Sequence, residues 1–413
     1  MNPQLSASFK PGMKVFVPTM SNESALLKQE LKAYPERAQG VDFRAIQFPG
    51  IDETNYIALH PEARQSSYFM NAALRAGILE SRAQLFSFDY PGIVNDLMYG
   101  SPMDLAIAQL TPPDADGWCS PGLSCDFLPL VWHRAKRRIA HLNPLMPKIP
   151  SSFRVHLSEL DEHVEFASPL LDFKDTNIGE IEKTIGAFIA PLVADGSTLQ
   201  FGIGSIPLGL AHALSQHRRL KFHGGLLSSA IQTLWHAGAM DLDARMTTGV
   251  VLGDSKLREF AQELPSLWLT DVSHTHDVNV LKTLEGLTAI NGAIEVDLFG
   301  QVNSERSDGG LQAGPGGLPA FAKGALAAPK GRLIICLPAT ASKGTVSRIV
   351  PNLGTRSMCT LPRYLADTVV TEHGVAEIKN LSTDARAEAL IKIAAPPHHQ
   401  TLLSAWAEIR EQL

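Results

Sequence analysis

"STLQFGIGSIPLGLAHAL", residues 197–214, decides the fold. The apolar run to Phe201 reads as a strand, Gly202 and Gly204 as a tight turn, and a helix starts near Ile206. Pro207 falls in the first helical turn, where its missing N–H costs nothing. A strand that feeds a helix through glycines is a βα unit, and such a turn lets backbone N–H groups approach an anion or a carbonyl oxygen. A dinucleotide fingerprint would carry a third glycine at position 207, so the proline departs from it.

The same style extends in both directions. Strands are predicted at "KVFVP", "RAIQF", "QLFSF", "LAIAQL" and "RVHLSEL" in the first half, with helices over 23–31 and 127–138 between them. "DFKDTNIGE" interrupts the apolar rhythm near 172–180, before a helix that runs to about Val193. A chain of 413 residues exceeds what one core supports. The expectation is therefore an α/β protein, two α/β domains with mostly parallel sheets, spanning 1–175 and 176–413.

Composition narrows the function. Thirty-six Lys and Arg against 42 Asp and Glu leave a net charge of −6, which gives no attraction to phosphate polymers. The one dense basic run, "HRAKRR" at 133–138, covers two helical turns at most, so no nucleic-acid partner is expected. The start lacks a secretory core and no apolar run reaches bilayer length; the chain reads as cytoplasmic, with no membrane partner. Cys119, Cys125, Cys336 and Cys359 have no CxxC spacing and are expected as buried or partly buried free thiols. Neither GxSxG nor GxxxxGK[ST] occurs, which removes the nucleophile elbow and the P-loop.

Two further segments carry chemistry. "LTAINGAIEVDLFGQVNSE", 287–305, reads as a long strand with Glu295 and Asp297 on one face. Those acids mark either a solvated edge or, for Glu295, a carboxylate held at a site among apolar neighbours. In "QAGPGGLPAFAKGA", 312–325, Gly314, Gly316 and Gly317 suit a turn whose amides face a ligand, and Lys323 is placed to meet a phosphate; a flexible hairpin is the plain alternative. "LIICLPATASKGTVSRIVP" reads as buried strand, loop and strand. "SHTHD", 273–277, has metal-ligand spacing, but nothing nearby completes a site and no metal is expected.

"QFGIGSIP", "INGAIEVDLFGQVNSE", "LPATASKGTVSRIVP" and "VVTEHGVAEIKNLSTDARAEALIKIAAP" together closely resemble the acetyl-CoA hydrolase/transferase family, which includes 4-hydroxybutyrate and acetate CoA-transferases. "IAQLTPPDADGWCSPGLSCD" and "AHLNPLMPK" extend the resemblance over essentially the whole chain. It implies the CoA-transferase superfamily fold, an active site in the cleft between two domains, a homodimer or higher oligomer, and coenzyme A as a substrate. The family's usual route is ping-pong. A glutamate attacks the acyl-CoA, CoA takes up the resulting anhydride as a glutamyl thioester, and a second carboxylate reverses the sequence. Loops matching Gln200, Gly202, Ile203, Gly204, Ser205 and Ile206, and matching Gly314 to Gly317, would supply oxyanion donors; Asn291 lies in another matching motif.

The nucleophile is what this chain lacks. The family pattern puts the glutamate in a His-Thr-Glu-like segment about twenty residues after the glycine loop; here that segment is "HGGLLSSA". His223 matches, Gly224 follows, and Gly225 falls where the glutamate is expected. No Glu or Asp occurs between Gly196 and Asp241, so no small shift restores one. Three readings remain: thioester chemistry without the glutamyl intermediate, by direct transfer or hydrolysis; another carboxylate as nucleophile, Glu295 leading; or a CoA-ester-binding subunit without catalysis. The glycines open a pocket for a bulkier or anionic acyl group, and His223 or His274 is a candidate base.

Overall fold

A computed structural model describes residues 4–52 and 54–413. They divide into two compact units: the described residues up to Lys174, with Gly225–Leu227 and Arg245–Thr275, form the first, and Asp175–Gly224, Ser228–Ala244 and His276–Leu413 the second. The main break thus falls between 174 and 175, and two later stretches group with the first unit. The division inside the Lys221–Leu227 strand falls between Gly224 and Gly225.

The first unit is built on seven strands in the order Ala83–Leu85, Arg64–Ser67, Asp42–Arg44, Lys14–Phe16, Leu105–Leu110, Arg137–Leu142 and Glu162–Glu165. Every pairing is parallel. Parallel strands need crossovers that cover both faces, which is why all six residues of "LAIAQL" are buried. The winding reverses at the Lys14–Phe16 and Leu105–Leu110 pair, and the carboxyl ends of those strands border a topological switch point.

The second unit repeats the device. Its strands run Lys221–Leu227, Thr198–Phe201, Leu287–Gly292, Arg332–Cys336, Thr368–Thr371 and Gly374–Glu377; the last is antiparallel and closes the edge. Here the winding reverses between Thr198–Phe201 and Leu287–Gly292. The "GIG" turn lies at the end of one of those strands and Asn291 near the end of the other.

The local expectations fared unevenly. "LAIAQL" is a strand and "KVFVP" begins one, but "RAIQF" and "QLFSF" overlap only the ends of strands that begin earlier, at Asp42 and Ala83. "RVHLSEL" is a strand only at Val155–His156, which pairs with Trp118–Cys119, and the His156 ring then caps a 3-10 turn. The helix predicted over 127–138 stops at Trp132 because Arg137–Leu142 must pair with Leu105–Leu110. Cys359 is exposed, unlike the other three thiols. Among the described residues no helix is long and apolar enough to cross a membrane.

The basic run is consumed by structure. Arg134 donates to the carbonyls of Leu97 and Gly100 at 2.9 and 2.8 Å, Lys136 pairs with Asp104 at 2.7 Å, and Arg137 pairs with Glu162. Arg138 donates to the Trp132 carbonyl at 2.8 Å. Little of that charge is left for a phosphate.

One contact positions the glycine turn. The Glu180–Ile189 and Ser205–Ala213 helices approach backbone to backbone: a Cβ on Gly186 would lie 2.9 Å from the Gly209 carbonyl, and one on Gly209 would lie 2.7 Å from the Glu182 carbonyl. Backbone cannot yield as a side chain does. Gly186→Val should therefore destabilise the fold by ~1–3 kcal/mol and lower the melting temperature; an unchanged thermal transition would contradict this close approach.

Candidate active site

The turn after Phe201 presents bare backbone. Gly204 has φ of 114°, a conformation that disfavours other residues, and it caps the Ser205–Ala213 helix. A side chain at Gly202 or Gly204 would meet nothing within 4 Å, so both face open space. With Ile203, Ser205 and Ile206 they make a helix N-terminus over the switch point, where backbone N–H groups and the helix dipole favour negative charge. Ser205 also donates its hydroxyl to Glu182 at 3.3 Å. Beside the turn, the buried Gln200 carboxamide oxygen accepts from Asn291 Nδ2 at 2.9 Å, bridging the two strands at the reversal.

His223 lies inside the Lys221–Leu227 strand, 3% exposed, and near the second histidine of "SHTHD". His276 is buried too, its ring tilted against that of Phe321 with centroids 4.6 Å apart. Burial first, and then the nearby His223, push the His276 imidazole well below its ordinary value. A Cβ on Gly317 would meet His276 Nε2 at 2.6 Å, so that glycine is required for the ring to sit there. The HxH pair is split, since His274 is exposed. Gly316, with φ of 61°, and Gly317 precede the Leu318–Ala327 helix, which carries the exposed Lys323; Gly314 is half-buried in the loop before them.

Glu295 belongs to a small separate sheet. The run 287–305 is two strands in two sheets, not one: Leu287–Gly292 belongs to the main sheet, and Glu295–Asp297 joins Val302–Asn303 and Ile349–Val350. The break at Ala293 and Ile294 spoils the alternation, and Glu295 and Asp297 have different surroundings. Asp297 is fully buried and accepts from the Phe299 and Gln301 amides at 3.1 and 2.8 Å, holding a turn. Glu295 is half-buried and accepts from Asn303 Nδ2 at 2.9 Å and from the Ser357 hydroxyl.

The first unit supplies a carboxyl that the sequence alone did not mark. Asp126, 7% exposed, has φ of 35°, a strained conformation for a residue with a side chain. It is held by the strand Met246–Val251: Cys125 N–H donates to the Gly249 carbonyl at 2.9 Å, and Val272 N–H donates to the Asp126 carbonyl at 3.1 Å. A Cβ on Gly249 would lie 3.1 Å from the Gly225 carbonyl oxygen and 3.4 Å from Asp126 Oδ1. The carboxyl therefore stands close to the glycine that occupies the expected nucleophile position. It also lines a cavity of ≈ 20 Å³, with Thr19, Asn22 and Gln109, at the switch point of the seven-stranded sheet. Burial, then Asp271 and Asp52, raise it to about 8, so it is mostly protonated at neutral pH. Only the topology brings it there, since nothing in the spacing links residue 126 to 225 or 249.

Two doubly wound α/β units, the second with a glycine turn at its switch point, define a class of protein, and the comparisons give its family. The chain belongs to the acetyl-CoA hydrolase/transferase family: the N-terminal domain of that family matches residues 3–169 and the C-terminal domain matches residues 253–406. It is 33% identical to a 4-hydroxybutyrate coenzyme A transferase of Clostridium kluyveri, over 83% of this chain and 81% of that one. Among solved structures it resembles RipA from Yersinia pestis, with a TM-score of 0.90, 25% identity and coverage of 99% and 97%. A 4-hydroxybutyrate CoA-transferase from Porphyromonas gingivalis gives a TM-score of 0.81, 26% identity and coverage of 98% and 95%. The glycine turn and Gly225 both lie between the two matched domains.

The buried His276 has a measurable consequence. Its unfolded counterpart titrates near ~6.5, whereas the folded ring stays neutral well below that. As pH falls below about 6.5 the unfolded chain binds one more proton than the folded chain, so stability declines toward the depressed folded value. Urea midpoints should fall between about pH 7 and 5, and His276→Gln should fall less steeply; parallel declines would place the slope elsewhere.

Proposed function

We propose that the protein moves CoA between an acyl-CoA and a small carboxylic acid, in the cytoplasm and as a homo-oligomer, without a glutamyl-CoA intermediate at residue 225. The observation that carries this reading is Asp126 beside Gly225: the carboxyl near the vacant position comes from another element and is protonated at neutral pH. A neutral carboxyl is a poor nucleophile and a good hydrogen-bond donor. In a direct route the acceptor carboxylate adds to the thioester carbonyl, the C–S bond breaks, and a mixed anhydride and CoA thiolate result. The thiolate then adds to the acceptor-derived carbonyl, and the donor acid leaves. Asp126 would donate to an oxyanion formed in these steps.

The small cavity beside Asp126 supports a second reading. Its ≈ 20 Å³ is room for about one water, so hydrolysis of the thioester competes wherever no acceptor acid is bound.

Steady-state rates with a panel of acyl-CoAs and acids test the proposal. Direct transfer requires the acceptor acid and gives intersecting double-reciprocal lines; parallel lines contradict it, acceptor-independent loss of thioester selects hydrolysis, and CoA binding without turnover indicates a non-catalytic subunit. For Asp126, activity should fall as pH rises through about 8. Asp126→Asn keeps a donor and should flatten that decline, whereas Asp126→Val should lower kcat on the order of 10²-fold. Equal losses in both variants would deny Asp126 a donor role.

A further inference from the structure

The second unit contains a cavity of ≈ 300 Å³ whose lining includes three arginines, Arg306, Arg348 and Arg356. Among the described residues none of the three forms an ion pair, although Glu295 and Asp308 line the same cavity. Glu295 is turned instead toward Asn303 and Ser357. Arg306 is also pinned at its backbone, since its carbonyl accepts from Asn303 Nδ2 at 2.7 Å. Its Nε is buried and has no hydrogen-bond partner.

A buried guanidinium N–H without an acceptor carries its full desolvation penalty, and folded proteins retain such groups where an ion or ligand completes them. The lining adds three positive charges to two negative ones, and guanidinium forks suit the paired oxygens of carboxylates and phosphates. The volume suits a small molecule. We infer that this cavity binds a small, multiply charged oxyanion, with Arg306 and Arg356 as its principal contacts. Two sources share that chemistry: a free dicarboxylate, and the phosphate groups of CoA. The inference concerns binding and stands independently of the transfer reaction.

Isothermal titration of the full chain with succinate, malonate, inorganic pyrophosphate and acetate, at fixed ionic strength, tests it. Saturable binding of the dianions, about tenfold or more tighter than acetate and weakened about tenfold or more by Arg306→Met or Arg356→Met, is expected. Circular dichroism of the variants separates a lost contact from a lost fold. Displacement of the dianion by CoA identifies the phosphates as the source; simultaneous binding of dianion and CoA identifies a free dicarboxylate. Absence of saturable binding for every dianion overturns the site, as does affinity left unchanged in a folded Arg306→Met/Arg356→Met variant. Loss of acyl-CoA turnover with dianion binding intact would fault the transfer reading alone.

Discussion

When the parallel strands of a sheet wind outward in both directions from one pair, the crossovers on either side depart to opposite faces and leave a crevice at the strands' carboxyl ends. Most of the chemistry in this protein depends on that constraint, met once in each unit. In the second unit it places the Gly202–Gly204 backbone beside the Gln200–Asn291 hydrogen bond. In the first it places Asp126 at the ends of Lys14–Phe16 and Leu105–Leu110. The glycines serve it differently: Gly186 and Gly209 let two helices meet backbone to backbone, while Gly202 and Gly204 leave amides open to a ligand.

On the proposed reading, glycine at residue 225 bears on the electrostatics of its surroundings as well as on the nucleophile. Asp126 is already raised by burial and by two other acids, and a further negative charge nearby would raise it more. With glycine there, burial, Asp271 and Asp52 are what hold Asp126 at about 8. Such a site suits oxyanion stabilisation better than covalent catalysis, and on the proposed route the acceptor acid itself attacks the thioester.

Much of this was legible in the sequence, and the failures have physical causes. The strand, glycine turn and helix over 197–214 could be read because apolar run, glycines and proline agree locally. The basic run misled because Arg137 and Arg138 begin a strand through pairing with residues some thirty positions away, which no helical period records. Residues 287–305 misled for the opposite reason: the apolar pattern persists while the chain changes sheets at Ala293. Glu295 was noticed, but its ties to Asn303 and Ser357 and the guanidinium-lined cavity around it arise from contacts across the fold. His276 and Asp126 were missed as partners of His223 and Gly225 because their proximity comes from topology alone.

The central claim is that thioester chemistry here proceeds without covalent attachment of CoA to the protein. Intact-mass analysis after incubation with an acyl-CoA, with and without borohydride, tests it most directly. The account predicts an unmodified chain in a preparation that turns over acyl-CoA when an acceptor acid is added. A CoA adduct, or a borohydride-reduced carboxyl mapped to Glu295, Asp126 or any other acid, would contradict it.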